Sequence, residues 1–290
     1  VEISHLKLGG TFNWGKTEQL FTLLEEALSR GIRLSWDQYP YTAWETGLAD
    51  YIPRWFREEG HQKLTANLSG HSTRKKIRLE IEQAIKTGNH VYNTAPWENV
   101  RISRVKSAEY KFAEGKCVSQ IARGLDVDPI EFVFDLLIAE KGSVAIQVFC
   151  MDDQDIKTIM KHPLTIIASD GRAAATYGEL HTGSPHPRYY GTFPRVLSKY
   201  VREEKVLSLE TAVQKMTSMP AQIMGLEDRG ILACGMVADI TIFDSKTISD
   251  PASFENPHQY SKGVEHVIIA GHSIILEGEH TNTMAGQVIK

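Results

Sequence analysis

Residues 1–41, VEISHLKLGGTFNWGKTEQLFTLLEEALSRGIRLSWDQYPY, decide the fold class. Val1 to Leu6 alternate apolar and polar residues and predict a short strand, which Gly9 and Gly10 break. Residues 17–30 carry leucines at helical spacing, and Gly31 closes the predicted helix. Ile32–Trp36 predict a second strand, turned at Tyr39-Pro40-Tyr41. Two strands joined through a helix make a βα unit with parallel strands, so the predicted class is α/β.

The pattern returns at Pro163–Gly171, PLTIIASDG, a buried strand that ends in an acid. Between these strands the texture differs. Residues 46–115 are polar, carry a basic helix around Thr73–Lys86 and lack a strong run of buried strand; they predict an inserted lid. Asp128-Pro129 starts a helix through Ala139, and Val144–Cys150 is a short apolar strand. Residues 172–195 form a polar loop too long for a mere connector. Helices follow near Phe193–Glu204 and Leu209–Ser218. Beyond residue 222, short β-like runs separated by Gly and Asp turns predict a β-sandwich segment. The expected division is therefore 1–45, 46–115, 116–222 and 223–290. The chain starts at Val1 in mid-strand, which reads as a piece of a longer protein or a processed product.

Composition narrows the function. The 290 residues hold 32 Lys+Arg against 36 Asp+Glu, a formal charge of −4. With no basic run, the balance argues against a nucleic-acid binder relying on phosphate neutralisation. No stretch approaches the ~18 apolar residues of a membrane helix, and residues 1–30 show no signal peptide. Cys117, Cys150 and Cys234 are odd in number and far apart, which argues against a disulfide framework and for a reducing compartment. A cytoplasmic enzyme is the expected class.

Gly10–Thr17, GTFNWGKT, matches the phosphate-loop pattern G-x-x-x-x-G-K-[ST] between a strand and a helix. Phe12 and Trp14 would crowd a loop that must wrap phosphate, and nucleotide binding stands as the weaker alternative. The strand ends suggest other chemistry. His5 and Lys7, two apart, share a strand face. Asp37, Tyr39 and Tyr41 close the second strand, and Asp170 closes the third. In a β/α barrel such ends meet at one mouth. There His could hold a metal, Asp could take a proton from water, and Lys or Arg could hold an anionic substrate. Taken singly, each also has an ordinary role: a hydrogen-bonded His, an Asx turn at Asp170, tyrosines packed with a polar tip.

Together these residues resemble the N-acyl-D-amino-acid deacylases (D-aminoacylases) of the amidohydrolase superfamily. The matching signatures are Ile3-Ser4-His5-Leu6-Lys7, Asn13-Trp14-Gly15-Lys16, Asp37–Ala43, Ala168-Ser169-Asp170-Gly171 and His186–Arg195. Lys215–Ser218, Gly235–Asp239 and Phe254–Tyr260 continue the series in order. The resemblance implies a metal-dependent β/α barrel, of which only the last strands are present, with a lid inserted near the seventh strand and a closing β-sandwich. It implies zinc, one ion or two, and a small-molecule N-acyl-D-amino acid as substrate. By resemblance His5 and Asp170 are metal-binding and Asp170 activates water. Lys7, Tyr39, Tyr41 and Arg188 hold the substrate carboxylate, with Tyr39 preferred over Tyr41. The family's His-x-His pair, metal-binding cysteine and fifth-strand histidine have no counterpart here, and none of the three cysteines takes the thiolate's place. The alternative expectation is an inactive truncated fragment or paralogue.

Overall fold

Trp36 is fully buried and sits in the middle strand of a parallel sheet, where its indole N–H donates to Thr165 Oγ1 at 2.7 Å. The computed structural model describes residues 1–87 and 95–289. Its strands are β1 (Glu2–Ile3), β2 (Ser35–Gln38), β3 (Ala43–Gly47), β4 (Val100–Arg104) and β5 (Ala145–Phe149). They continue with β6 (Thr165–Ile167), β7 (Ile240–Phe243), β8 (Val264–Ile269), β9 (His272–Leu276) and β10 (Glu279–His280). The order β1-β2-β6 is parallel throughout, with Ile3 opposite Trp36 and Trp36 opposite Thr165. Parallel neighbours require crossovers. Helix Thr17–Ser29 makes the first; helix Asp153–Lys161 ends the second, much longer one.

The second strand starts three residues later than expected. Ile32 N–H still donates to Ala27 O at 3.3 Å, so residues 31–32 complete the helix terminus and cannot yet extend. Under β6, the buried Lys215 ammonium donates to His162 O (2.6 Å) and Thr165 O (2.8 Å). Burial pulls its pKa down to about 8.

The described residues between 43 and 150 leave the end of β2 and build their own antiparallel sheet, in the order β3-β5-β4. One feature differs from the sequence expectation: Val100–Arg104 is a strand with Val100, Ile102 and Ser103 buried, its signal being the apolar–polar–apolar run Val100-Arg101-Ile102. β5, the expected apolar strand, pairs with β3 and β4. One apolar core runs from Leu48 to Cys150, and the expected boundary at residue 115 falls inside it. Helix Pro129–Ala139 packs on this core as its signals predict, with Asp128 accepting from the N–H groups of Ile130 and Glu131. A second core, including Tyr39, Met160, Ile167 and Tyr200, lies against the parallel sheet, and Trp44 touches both.

The predicted loop 172–195 ends in a helix, Arg188–Arg195, which continues as a π-helical segment, Val196–Glu203. His186 starts it: its Nδ1 accepts the Arg188 N–H at 3.1 Å. Pro194 lacks a donor, and the wider π turn follows it directly. The C-terminal strands form a single antiparallel sheet, β10-β9-β8-β7, with no second sheet among the described residues beyond 222. Ile242 and Leu276 remain half-exposed on it, so the strands present no second buried face. Among the described residues no helix is long and apolar enough to cross a membrane.

Candidate active site

The chain after β1 is clipped to the end of β2. His5 N–H donates to Asp37 Oδ1 at 2.7 Å, and Leu6 N–H donates to Asp37 O at 2.8 Å. Burial raises the Asp37 carboxyl to about 6 against the pull of that His5 N–H. His5 has φ 47° and Asp170, beyond β6, has φ 46°. Such left-handed backbone at non-glycine residues costs on the order of 1 kcal/mol and clusters at functional sites. Here it occurs at two residues singled out for chemistry.

His5, Lys7, Tyr39 and Asp170 line a cleft of about 350 Å³. Lys7 Nζ lies 2.8 Å from His5 Nδ1 and 5.6 Å from the Tyr39 ring centre. Burial lowers the Lys7 pKa to about 8, while the Asp170 charge opposes that fall. Phe12, Trp44, Glu45, Thr46 and Cys150 line it too. Two glycines let the loop lie close to the Trp44 and Phe12 rings. A Cβ on Gly9 would sit 2.5 Å from the Trp44 ring; one on Gly10, at φ 84°, would sit 2.5 Å from Phe12.

Arg188 stands behind the cleft, only 5% exposed. Its Nη2 pairs with Asp170 Oδ2 at 2.9 Å, and its guanidinium stacks 4.7 Å from the Tyr39 ring centre. Arg188 Nε and Nη1 and the Tyr39 hydroxyl are buried without hydrogen-bond partners. Burial pushes the Tyr39 and Tyr41 hydroxyls up, so both stay neutral donors. Tyr41 is not on the cleft: it packs edge-on to His186 (5.1 Å) beneath Arg195 (4.8 Å). The fold thus gathers His5, Lys7, Tyr39 and Asp170, places Arg188 one layer behind them, and sets Tyr41 apart.

Sequence reasoning missed part of the wall. Cys150 lies on the cleft, and burial holds its thiol up at about 12, hence protonated. Glu45, inside β3, also lines it, while Cys150 follows the end of β5; the two strands pair across some 100 residues of sequence. The phosphate-loop reading fails on geometry. Gly10, Asn13, Trp14 and Lys16 spend their backbone N–H groups on carbonyls, and Gly15 N–H donates to the Asp155 carboxylate at 3.0 and 3.1 Å. No cradle of free N–H groups is left for phosphate.

Catalytic zinc takes three protein ligands. Among the described residues no group of three His, Cys, Asp or Glu side chains could hold a metal. His5 and Asp170 alone do not complete such a centre.

A polar cleft at the carboxyl ends of parallel strands, with an acid, an imidazole and an ammonium, is the site layout of an α/β enzyme. The chain belongs to the Amidohydrolase family, whose profile matches residues 80–275. It is 30% identical over 269 residues to the N-acyl-D-glutamate deacylase of Alcaligenes xylosoxydans xylosoxydans, covering 93% of this chain and 44% of that protein. A solved D-aminoacylase, described for its binuclear metal centre, superposes with TM-score 0.74 at 30% identity, covering 99% of this chain and 49% of the other. The N-acyl-D-glutamate deacylase of Bordetella bronchiseptica, solved with zinc and a phosphonate mimic of the tetrahedral intermediate, gives 0.70 at 27% identity, with 94% and 46% covered. The chain spans about half the length of the relatives it matches.

Proposed function

We propose that the full-length protein hydrolyses the amide bond of N-acyl-D-amino acids to a carboxylate and a free D-amino acid. The observation that carries this reading is the convergence of Lys7, Tyr39 and Asp170 on one cleft, with Arg188 paired to Asp170 behind them. The Lys7 ammonium and the Tyr39 hydroxyl bind the substrate α-carboxylate, and Arg188 holds Tyr39 and Asp170 in register. Arg188 Nε and Nη1 offer further donors to an anion that reaches them. Tyr41 supports this wall through His186. Asp170 takes a proton as water attacks the acyl carbon and returns it to the amine nitrogen as the C–N bond breaks. His5 and Asp170 are the zinc-ligand candidates; together with further ligands of the full-length protein they would hold an ion that would polarise the acyl carbonyl and activate the water.

Support comes from the family and from relatives named as deacylases of N-acyl-D-amino acids. We read the parallel sheet as an arc of a β/α barrel, residues 43–150 as its lid, and the protein as cytoplasmic. The test is release of free amino acid from N-acetyl-D- and N-acetyl-L-leucine by the full-length protein. Release from the D-substrate alone supports the proposal; release from neither refutes it. The second reading, that residues 1–290 alone are a folded but inactive module, is favoured by the incomplete ligand set. It predicts no turnover by this chain in the same assay.

A further inference from the structure

Arg188 reaches Asp170 from a segment that is bonded to the antiparallel sheet. Ser184 N–H donates to Ser103 O on β4 at 2.7 Å, and Ser184 O accepts from Gln147 Nε2 on β5 at 2.8 Å. The fully buried His186 donates its Nε2–H to Ala43 O on β3 at 2.9 Å, and burial holds its pKa well down, so Nδ1 is free to accept the Arg188 N–H. Glu45, two residues along β3 and opposite Gln147, grips the chain on both sides of Arg188. Its Oε2 accepts from His186 N–H at 3.2 Å and from the Ser103 hydroxyl at 3.3 Å, while Oε1 accepts from the Tyr189 hydroxyl at 2.5 Å. Burial and the Glu45 charge both push that hydroxyl up, so Tyr189 stays a donor. Asp170, by contrast, lies beyond the end of β6 with left-handed backbone, and meets Arg188 Nη2 at 2.9 Å.

We propose that Glu45 is a positioning residue of this site: by holding His186 and Tyr189 it fixes the start of helix Arg188–Arg195, and with it the Arg188–Asp170 pair. The acid then takes its place from the antiparallel sheet. Its part in turnover rests on the deacylase reading; the positioning does not. Hydrogen bonds to a charged acceptor are the strong ones, and taking Glu45 away strands donors in a buried place, which must move to find partners. Arg188 sits between them. A movement that doubles its separation from Asp170 halves their attraction.

The experiment is the urea double-mutant cycle of Arg188→Met and Asp170→Asn in the full-length protein, run with Glu45 intact and again in Glu45→Gln. The amide keeps the shape and one acceptor but sets an NH₂ against a donor. The Arg188–Asp170 coupling should fall to about half or less in that background. A side chain that only adds stability would weaken every member of the cycle alike, and an unchanged coupling overturns the assignment. Should Glu45→Gln fail to fold, Tyr189→Phe removes one of the gripped donors and should lower the coupling too; no change there overturns it equally. Turnover of N-acetyl-D-leucine gives a second readout. Glu45→Gln should lower kcat/KM about threefold or more, and should lose that effect when Arg188 is already methionine. Equal losses with and without Arg188 overturn the assignment. Absence of turnover by the unaltered protein counts against the deacylase reading alone, and the coupling cycle then decides the positioning by itself.

Discussion

The Arg188–Asp170 pair joins a buried cation to the proposed base, and its coupling is measurable without any substrate. The perturbation is the set Arg188→Met, Asp170→Asn and the double variant. Opposite charges ~4 Å apart at an effective dielectric of ~20 attract by about 4 kcal/mol. Asp170 is 43% exposed while Arg188 is 5% exposed, so water screens one partner and not the other. Halving the attraction for that screening gives an expected coupling of about 2 kcal/mol, above the ~0.2–1 kcal/mol of exposed pairs. Arg188→Met alone should also release the Tyr39 ring from its stacking partner. The assay is urea unfolding of the wild type and the three variants, closed as a double-mutant cycle. Because Arg188 is buried, ~0.5 M salt should reduce the coupling only partly. A coupling below about 0.3 kcal/mol, which is within ordinary additivity error, would refute the idea that this pair holds the acid in place.

Asp170→Asn in the full-length protein should lower turnover about 10²–10⁴-fold with little change in KM, since the amide keeps the shape but cannot accept a proton; near-normal turnover would move the base elsewhere. Zinc added to this chain alone should bind no tighter than about 10 µM by calorimetry, because two ligands do not make a catalytic centre; stoichiometric submicromolar binding would reveal a missed ligand. Asp153 gives a pH prediction. Burial would raise its pKa, but the ammonium groups of Lys157 (2.6 Å) and Lys199 (2.7 Å) hold it down at about 2. A depressed acid contributes stability that is present above its ordinary pKa of 3.8 and lost as pH falls towards about 2. After discounting for partial exposure this is about 1 kcal/mol, and Asp153→Asn should flatten that part of the pH–stability curve in urea titrations between pH ~2 and ~6.

Much of this protein is legible locally. The alternation at residues 1–6, the leucine spacing before Gly31, the Asp128-Pro129 cap and the apolar run ending at Asp170 are signals contained within a few residues each. They announce a strand, two helices and a strand end, and they point to His5, Lys7, Tyr39 and Asp170 before any contact is known. Tertiary structure decided the rest. The β5 strand reads the same whether it joins a parallel or an antiparallel sheet; its pairing with β3, some 100 residues away, is set by which apolar faces close a core. Arg188 reads as a loop residue until His186, itself held by Ala43 O at 2.9 Å, caps its helix and turns the guanidinium onto Asp170. Cys150 and Glu45 reach the cleft wall only because the excursion over residues 43–150 folds back beside the strand ends. Short-range propensity is written in neighbouring residues, whereas a cleft wall is made of residues whose nearness exists only after the chain has closed long loops.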